Sequence, residues 1–345
     1  MTKDEMYMQR CLELAACGVG SVEPNPRVGS VIVYQDRIIG EGYHWQYGGP
    51  HAEVNAIESV EDRDLLRQST LYVNLEPCAH EGKTPPCARL IAGLGIPRVV
   101  IGTVDPFEKV NGKGIAIMES AGCHVTAGVL EKASQEANKR FFTFHKEKRP
   151  YIILKWAQSA DSFMDRKRNP HDGIKPEWIT DEVCRFMVHK WRTEEPGIMV
   201  GANTAILDDP QLTARLYPGR QPVRILIDPH LRVPGNLKIF DASSRVIVMN
   251  GLKDEEDGHI RRRKIDFGGM PESLLAALYQ EGVQSVMVEG GARLLQTFID
   301  AGKWDEARIF TGPVKFGKGV RAPVPAGRRI SEGVAGNSRL AFRVP

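Results

Sequence analysis

Residues 75–87 read Leu-Glu-Pro-Cys-Ala-His-Glu-Gly-Lys-Thr-Pro-Pro-Cys, and upstream residues 51–53 read His-Ala-Glu. One imidazole and two thiols offer three ligands for Zn²⁺ and leave a fourth position for water, as a catalytic rather than a structural zinc requires. His51, Cys78 and Cys87 are therefore the candidate ligands. Each precedes or opens a predicted helix, and the partial positive charge of a helix start favours thiolate at neutral pH. Glu53 follows His51 by two residues and need not coordinate. Zinc nucleobase deaminases use such a non-ligand glutamate, in a His-x-Glu…Pro-Cys-x-x-Cys pattern, to carry a proton from water to the departing amine, and here eight residues separate the two cysteines. His80 lies between the two cysteines and reads as a neighbour of the metal. Cys11, Cys17, Cys123 and Cys184 read as core or incidental thiols.

Working outward, strand and helix patterns alternate. Residues 4–16 repeat apolar side chains at helical spacing, with Met8, Leu12 and Ala15 on one face. Residues 28–34 (VGSVIVY) form an apolar run of strand length, and 37–42 return beside them as a hairpin. Helices are predicted over 51–60, 87–94, 115–120 and 131–148, and strands over 70–75, 98–102 and 123–127. This alternation implies an α/β sheet covered by helices on both faces. Pro150 disfavours helix in the residue before it, which places a domain boundary near 146–150 and divides the chain into 1–146 and 147–345. In the second part, strands are predicted over 151–157, 198–200, 223–227, 245–249 and 285–288. Helices follow over 181–192, 271–280 and 292–300. Residues 251–269 read as an irregular surface connection.

A length of 345 residues suits two domains with separate cores. Hydrophobic residues at 42% and charged residues at 26% exclude collagen-like, disordered and coiled-coil classes. Residues 1–146 hold 15 Lys and Arg against 18 Asp and Glu, whereas 147–345 hold 31 against 25. The mildly basic second part suits a phosphorylated small molecule and is too weakly and diffusely charged for a nucleic-acid groove. No apolar run reaches the ~18 residues of a membrane span, and Met1-Thr2-Lys3-Asp4-Glu5 opens no signal-peptide pattern. Six cysteines without that pattern point to the reducing cytoplasm, where grouped thiols signify metal or catalysis rather than disulfides.

In the second part no Gly-x-Gly-x-x-Gly follows a predicted strand, so a Rossmann dinucleotide site is not expected. Instead Glu289-Gly290-Gly291 joins the apolar run Val286-Met287-Val288 to a helix beginning at Ala292. Such a junction lets backbone N–H groups approach a phosphate, although Gly-Gly turns are also common without any ligand.

The string LEPCAHEGKTPPC (75–87), with PNPRVGSVIV (24–33) before it and His-Ala-Glu between, closely resembles the bifunctional deaminase–reductases of riboflavin biosynthesis. Gly201-Ala202-Asn203-Thr204, Asp208-Asp209-Pro210-Gln211-Leu212-Thr213 and Glu289-Gly290-Gly291 match the family's reductase half, so the resemblance spans nearly the whole chain. It implies a cytidine-deaminase-like three-layer αβα domain followed by a dihydrofolate-reductase-like α/β domain. The first would be a hydrolase removing the amine of 2,5-diamino-6-ribosylamino-4(3H)-pyrimidinone 5′-phosphate, with zinc as cofactor. The second would be an oxidoreductase using NADPH to turn the ribosyl group into a ribityl chain. By the same resemblance Asn25, His44 and Lys83 would touch the deaminase substrate. Ala157, Trp178, Thr204, Asp208, Gly290 and Gly291 would touch NADPH. Arg192, Leu212, Arg215 and Glu289 would touch the reductase substrate, the two arginines being suited to its phosphate. The implied protein is a cytoplasmic homo-oligomer with a phosphorylated ribosylaminopyrimidine substrate and neither nucleic-acid nor membrane partners.

The chain departs from the family at Ser159-Ala160-Asp161-Ser162, where Ser-Leu-Asp-Gly is usual, and over 166–177, which is longer than the usual loop. Two other readings compete. A zinc deaminase of tRNA or another nucleoside, with an inactive or differently specific reductase-like half, predicts two residues between the cysteines, against the eight present. A zinc-stabilised binding module predicts a fourth protein ligand and no need for Glu53.

Overall fold

The computed structural model describes residues 1–80, 85–168, 177–325 and 327–345. The chain divides into two compact units, Met1–Glu147 and Lys148–Pro345.

The first unit runs α1 (Lys3–Ala16), β1 (Gly29–Tyr34), β2 (Arg37–Tyr43), α2 (Ala52–Glu58), β3 (Thr70–Leu75), α3 (Cys87–Leu94), β4 (Arg98–Thr103), α4 (Lys113–Ser120), β5 (His124–Ala127), α5 (Glu131–Ala137) and α6 (Lys139–Glu147). Its five strands lie in the order β2-β1-β3-β4-β5. β1 is antiparallel to β2 and β3, while β3, β4 and β5 are parallel. Both faces are covered, so apolar residues alternate between two cores. Ile32, Val99 and Ile101 pack against α2, α3 and α4, whereas Val31, Val33 and Val100 pack against Tyr7, Met8, Cys11 and Leu14 of α1. Thr2 starts α1 with a capping box, its hydroxyl accepting from Glu5 N–H and the Glu5 carboxylate accepting from Thr2 N–H.

The long helix expected over 131–148 is broken at Asn138. The reason is visible in that residue's side chain, which accepts from Arg27 N–H at 2.8 Å and donates to the Arg27 carbonyl at 2.9 Å. Asn74 donates to the same carbonyl at 3.1 Å and accepts from Gly29 N–H at 2.8 Å. Two asparagines thus fix the segment that follows Pro24-Asn25-Pro26.

The second unit runs β6 (Tyr151–Gln158), β7 (Phe163–Arg166), α7 (Glu182–Glu194), β8 (Gly197–Gly201), α8 (Ala202–Asp208), β9 (Val223–Ile227), β10 (Val246–Asn250), β11 (Glu255–Asp257), β12 (Ile260–Lys264), α9 (Glu272–Gln280), β13 (Ser285–Val288), α10 (Ala292–Asp300), β14 (Glu306–Thr311), β15 (Gly319–Arg321), β16 (Arg328–Ala335) and β17 (Ser338–Val344). Ten strands form one sheet in the order β11-β12-β10-β9-β8-β13-β6-β14-β17-β16, and β7 pairs with β15 separately. From β12 to β14 the neighbours are parallel, and the two outer hairpins are antiparallel. Ile152, Leu154 and Trp156 enter one core with α9 and α10, and Tyr151 and Ile153 enter the other with α7.

Residues 254–264 are not an irregular connection. They hold β11 and β12, whose register sets Glu255 opposite Arg262 and Glu256 opposite Arg261. Cross-strand ion pairs on an exposed edge replace the apolar alternation by which a strand is usually recognised. The sheet also extends past the expected strands through β14, β17 and β16.

Candidate active sites

In the first unit three elements bring the predicted ligands together. His51 is the N-cap of α2, Cys78 follows β3, and Cys87 is the first residue of α3. Gly42 of β2 makes this approach possible, because a Cβ there would lie 2.5 Å from the backbone nitrogen of Ala56 in α2. The ligand atoms of all three residues fall within 4.8 Å of one another. His51 Nδ1 lies 3.6 Å from Cys78 Sγ and 3.4 Å from Cys87 Sγ. Zinc bonds of about 2.0 Å to nitrogen and about 2.3 Å to sulfur, set at the tetrahedral angle, separate the two atoms by about 3.5 Å. The donor set and its spacing therefore fit zinc.

The three groups perturb one another strongly, the Cys87 thiol being pushed well up by Cys78 and by burial. The Cys78 thiol is pulled far below its ordinary range, first by the Cys87 thiol and then by His51 and the Cys87 N–H, which reaches its sulfur at 3.3 Å. His51 is pushed up to about 9 by its bond to Cys78 and by the nearby Glu53. Burial pushes the Glu53 carboxyl up, and the Cys87 thiol hydrogen-bonds to it. Glu53 is 3% exposed and sits in the first turn of α2, beside the metal triangle.

Two further predicted residues converge here. The His44 ring meets the His51 ring edge-on, 5.4 Å between centroids, and its nitrogens contact the Pro50 carbonyl at 2.8 Å and the Asn25 amide nitrogen at 3.1 Å. Lys83 lies outside the described residues. A residue not anticipated from sequence is Asp105, whose carboxyl burial, with help from Glu76 and Cys78, pushes up to about 7. Glu76 holds its loop by accepting from the N–H groups of Asp105, Gly112, Gly114 and Ile115.

In the second unit a cavity of about 1780 Å³ opens at the carboxyl ends of the parallel strands, larger than the ~300–1,000 Å³ of a usual small-molecule site. Ala157, Trp178, Thr204, Asp208, Leu212, Arg215, Arg192, Glu289, Gly290 and Gly291, the residues expected to bind cofactor or substrate, all line it. A Cβ on Gly290 would lie 2.9 Å from Thr204 Cγ2, and Gly291 has φ +77°, so the turn is shaped for glycine. Gly291 caps α10 without a side-chain bond, leaving backbone N–H groups at that helix start for an anion. A cradle of this kind, in a cavity of this size, fits a dinucleotide's pyrophosphate.

The structure assigns several polar residues to one another. Arg192 donates through Nε and Nη2 to both Glu289 oxygens and through Nη1 to the Thr213 carbonyl. Its guanidinium is thus engaged, and Arg215 is the more available cation. Asp208 is held by Arg168 at 2.6 Å, and Arg185 lies over the Trp178 ring at 4.6 Å. Lys155 was missed by sequence reading. It lies in the apolar strand β6 with its Nζ 3.5 Å from Glu289, and burial lowers its affinity for a proton. A single lysine inside Tyr-Ile-Ile-Leu-Lys-Trp-Ala-Gln was the available signal.

Comparison with known proteins gives this arrangement a family. Residues 1–103 match the cytidine and deoxycytidylate deaminase zinc-binding region, and residues 150–335 match the RibD C-terminal domain. The chain belongs to the RibD family. It is 38% identical to the riboflavin biosynthesis protein RibD of Aquifex aeolicus over 92% of this chain and 89% of that protein. With RibD of Bacillus amyloliquefaciens it shares 39%, over 93% and 87%. A Thermotoga maritima crystal structure, described as a diaminohydroxyphosphoribosylaminopyrimidine deaminase/5-amino-6-(5-phosphoribosylamino)uracil reductase, superposes with a TM-score of 0.88. It covers 99% of both chains at 38% identity. Acinetobacter baumannii RibD gives the same TM-score and coverage at 31%. As a RibD the chain is a bifunctional deaminase and reductase of riboflavin biosynthesis, with zinc and NADPH as cofactors.

Proposed function

We propose that the first unit hydrolyses the amine of 2,5-diamino-6-ribosylamino-4(3H)-pyrimidinone 5′-phosphate, and that the second reduces the ribosyl group of the product. The observation that carries this reading is the His51–Cys78–Cys87 triangle with the buried Glu53 beside it. Zinc held there by His51, Cys78 and Cys87 would lower the pKa of water from about 16 to about 7. Glu53 takes the proton released and delivers it to the departing amine, so that water enters and ammonia leaves. Its buried carboxyl suits a group that must accept and return a proton. Asn25 and His44, joined at 3.1 Å, present polar edges to the pyrimidine, and by the family resemblance Lys83 would touch the same substrate.

In the second unit NADPH, held by residues lining the cavity, would supply hydride to C1′ of the ring-opened imine form of the ribosylamine, with a proton taken up at its nitrogen. Gly290 and Gly291 would hold the pyrophosphate, with Thr204, Ala157, Trp178 and Asp208 forming the surrounding wall. Leu212 and Arg215 bound the substrate side, Arg215 facing its phosphate. Arg192 positions Glu289, and Glu289 with Lys155 forms the charged floor on which the sugar is oriented. The two activities occupy residues 1–146 and 147–345. A cytoplasmic homo-oligomer, in which thiol ligands stay reduced, completes the reading.

Glu53→Gln tests it. The variant should retain one zinc per chain by elemental analysis while deamination falls by at least about 10³-fold. Zinc retained with undiminished deamination would contradict the role of Glu53.

A further inference from the structure

Part of the wall of the second unit's cavity is acidic, although its cofactor is a polyanion. Met164 and Asp165 of β7, Val320 of β15, and Leu207 and Asp208 at the end of α8 all line it. β7 and β15 pair apart from the ten-stranded sheet, so this part of the wall is a two-stranded ribbon beside a helix end.

Arg168, two residues past β7, joins the ribbon to the helix. Its Nε donates to Asp165 Oδ2 at 2.7 Å, its Nη2 to Asp208 Oδ1 at 2.6 Å, and its Nη1 to the Leu207 carbonyl at 3.0 Å. That carbonyl is among the last of α8, which a helix leaves without an intrahelical partner. The Arg168, Asp165 and Asp208 side chains are only 14%, 21% and 27% exposed, so the three charges meet largely out of water. Arg168 also belongs to the stretch 166–177, in which the chain departs from its family.

The position of Asp208 is unfavourable for a carboxylate. It closes α8, where the helix dipole is negative, and Asp165 brings a second negative charge to the same guanidinium. Burial pushes the Asp208 carboxyl up and Arg168 pulls it back, while Asp165 pushes it up again. The adjacent Asp209 is answered separately, by Lys238 at 3.0 Å. With Arg168 in place the trio carries one net negative charge. Without it two carboxylates would stand in a wall of low dielectric, where repulsion of a phosphate is strongest.

We propose that Arg168 is a positioning residue of the reductase half: it turns Asp165 and Asp208 onto itself, fixes the ribbon to the end of α8, and so keeps this wall from repelling the dinucleotide. It acts through the two acids and needs no contact with the cofactor. The proposal rests on the reading that NADPH occupies this cavity.

Calorimetric titration of the zinc-loaded full chain with NADPH, at low salt and at about 1 M salt, tests it without turnover. Arg168→Gln should raise the dissociation constant about five- to tenfold over wild type at low salt, and the ratio should shrink to within about twofold at high salt. Arg168→Lys keeps the charge and loses the fork, and should stay within about threefold of wild type. Adding Asp165→Asn to Arg168→Gln returns the trio to one negative charge and should recover most of the affinity. A loss that persists at high salt, or that Asp165→Asn does not relieve, would show that the fork acts through shape alone and would overturn the proposal. Arg168→Gln binding as tightly as wild type at low salt would overturn it as well. If the wild-type chain binds no NADPH at either salt, the reading of the cavity itself fails.

Discussion

The guanidinium of Arg192 meets the carboxylate of Glu289 side-on, Nε to Oε1 at 2.7 Å and Nη2 to Oε2 at 2.8 Å. Burial alone would raise the Glu289 carboxyl, yet Arg192 and Lys155 together hold it down to about 2. Removing this charge leaves two cations in a nearly dry wall. Glu289→Gln is expected to cost the second unit about 3–5 kcal/mol, the usual penalty for breaking a buried pair. Scanning calorimetry should show its transition moved down, with zinc content unchanged.

Asp161 supplies a pH-dependent prediction. Its carboxylate accepts from the Ser159 hydroxyl at 2.6 Å, then from Gly317 N–H at 2.7 Å and Phe316 N–H at 3.1 Å, and is held down to about 2. An acid depressed in the folded state contributes stability above its ordinary value of about 4 and loses it as pH falls through the folded value. Asp161→Asn should therefore melt below the wild-type chain at pH 7. The difference should shrink between about pH 4 and pH 2 in a series of melting curves.

Ser162 occupies the left-handed region with φ 66°. A side chain there costs about 1–2 kcal/mol, which glycine avoids at the expense of a more flexible unfolded chain. Ser162→Gly should raise the stability of the second unit by about 0.5–1 kcal/mol in denaturant titration, and an unchanged or lower midpoint would show that the turn is not strained.

Gly290→Ala tests the cofactor cradle. The added methyl would lie 2.9 Å from Thr204 Cγ2 and 3.2 Å from Val200 Cγ1, so the turn must open. The NADPH dissociation constant should rise at least about tenfold, with zinc content unaltered.

The zinc centre was legible because coordination chemistry dictates residue types. His51, Cys78 and Cys87 are recognisable wherever they fall, and the helix starts that present His51 and Cys87 carry their own signals. The doubly covered sheets were legible in the apolar runs of β1, β4 and β6. Hydrogen bonds across long sequence gaps left no such trace. Nothing in residues 131–148 shows that Asn138 turns away to bind Arg27, from 111 positions earlier in the chain. The strands β11 and β12 escaped notice because charge pairs stabilise their exposed edge. The resemblance sets Arg192 and Glu289 both on the reductase substrate, and only the fold shows that these two side chains, 97 positions apart, also meet each other.

The most direct test of two consecutive activities on one chain is mass spectrometry of the diaminopyrimidinone phosphate after incubation with zinc-loaded protein, with and without NADPH. The account predicts that the deaminated ribosyl compound accumulates without NADPH and converts to the ribityl compound with it. Unchanged substrate in the presence of bound zinc would contradict the first assignment, and a deaminated product indifferent to NADPH would contradict the second.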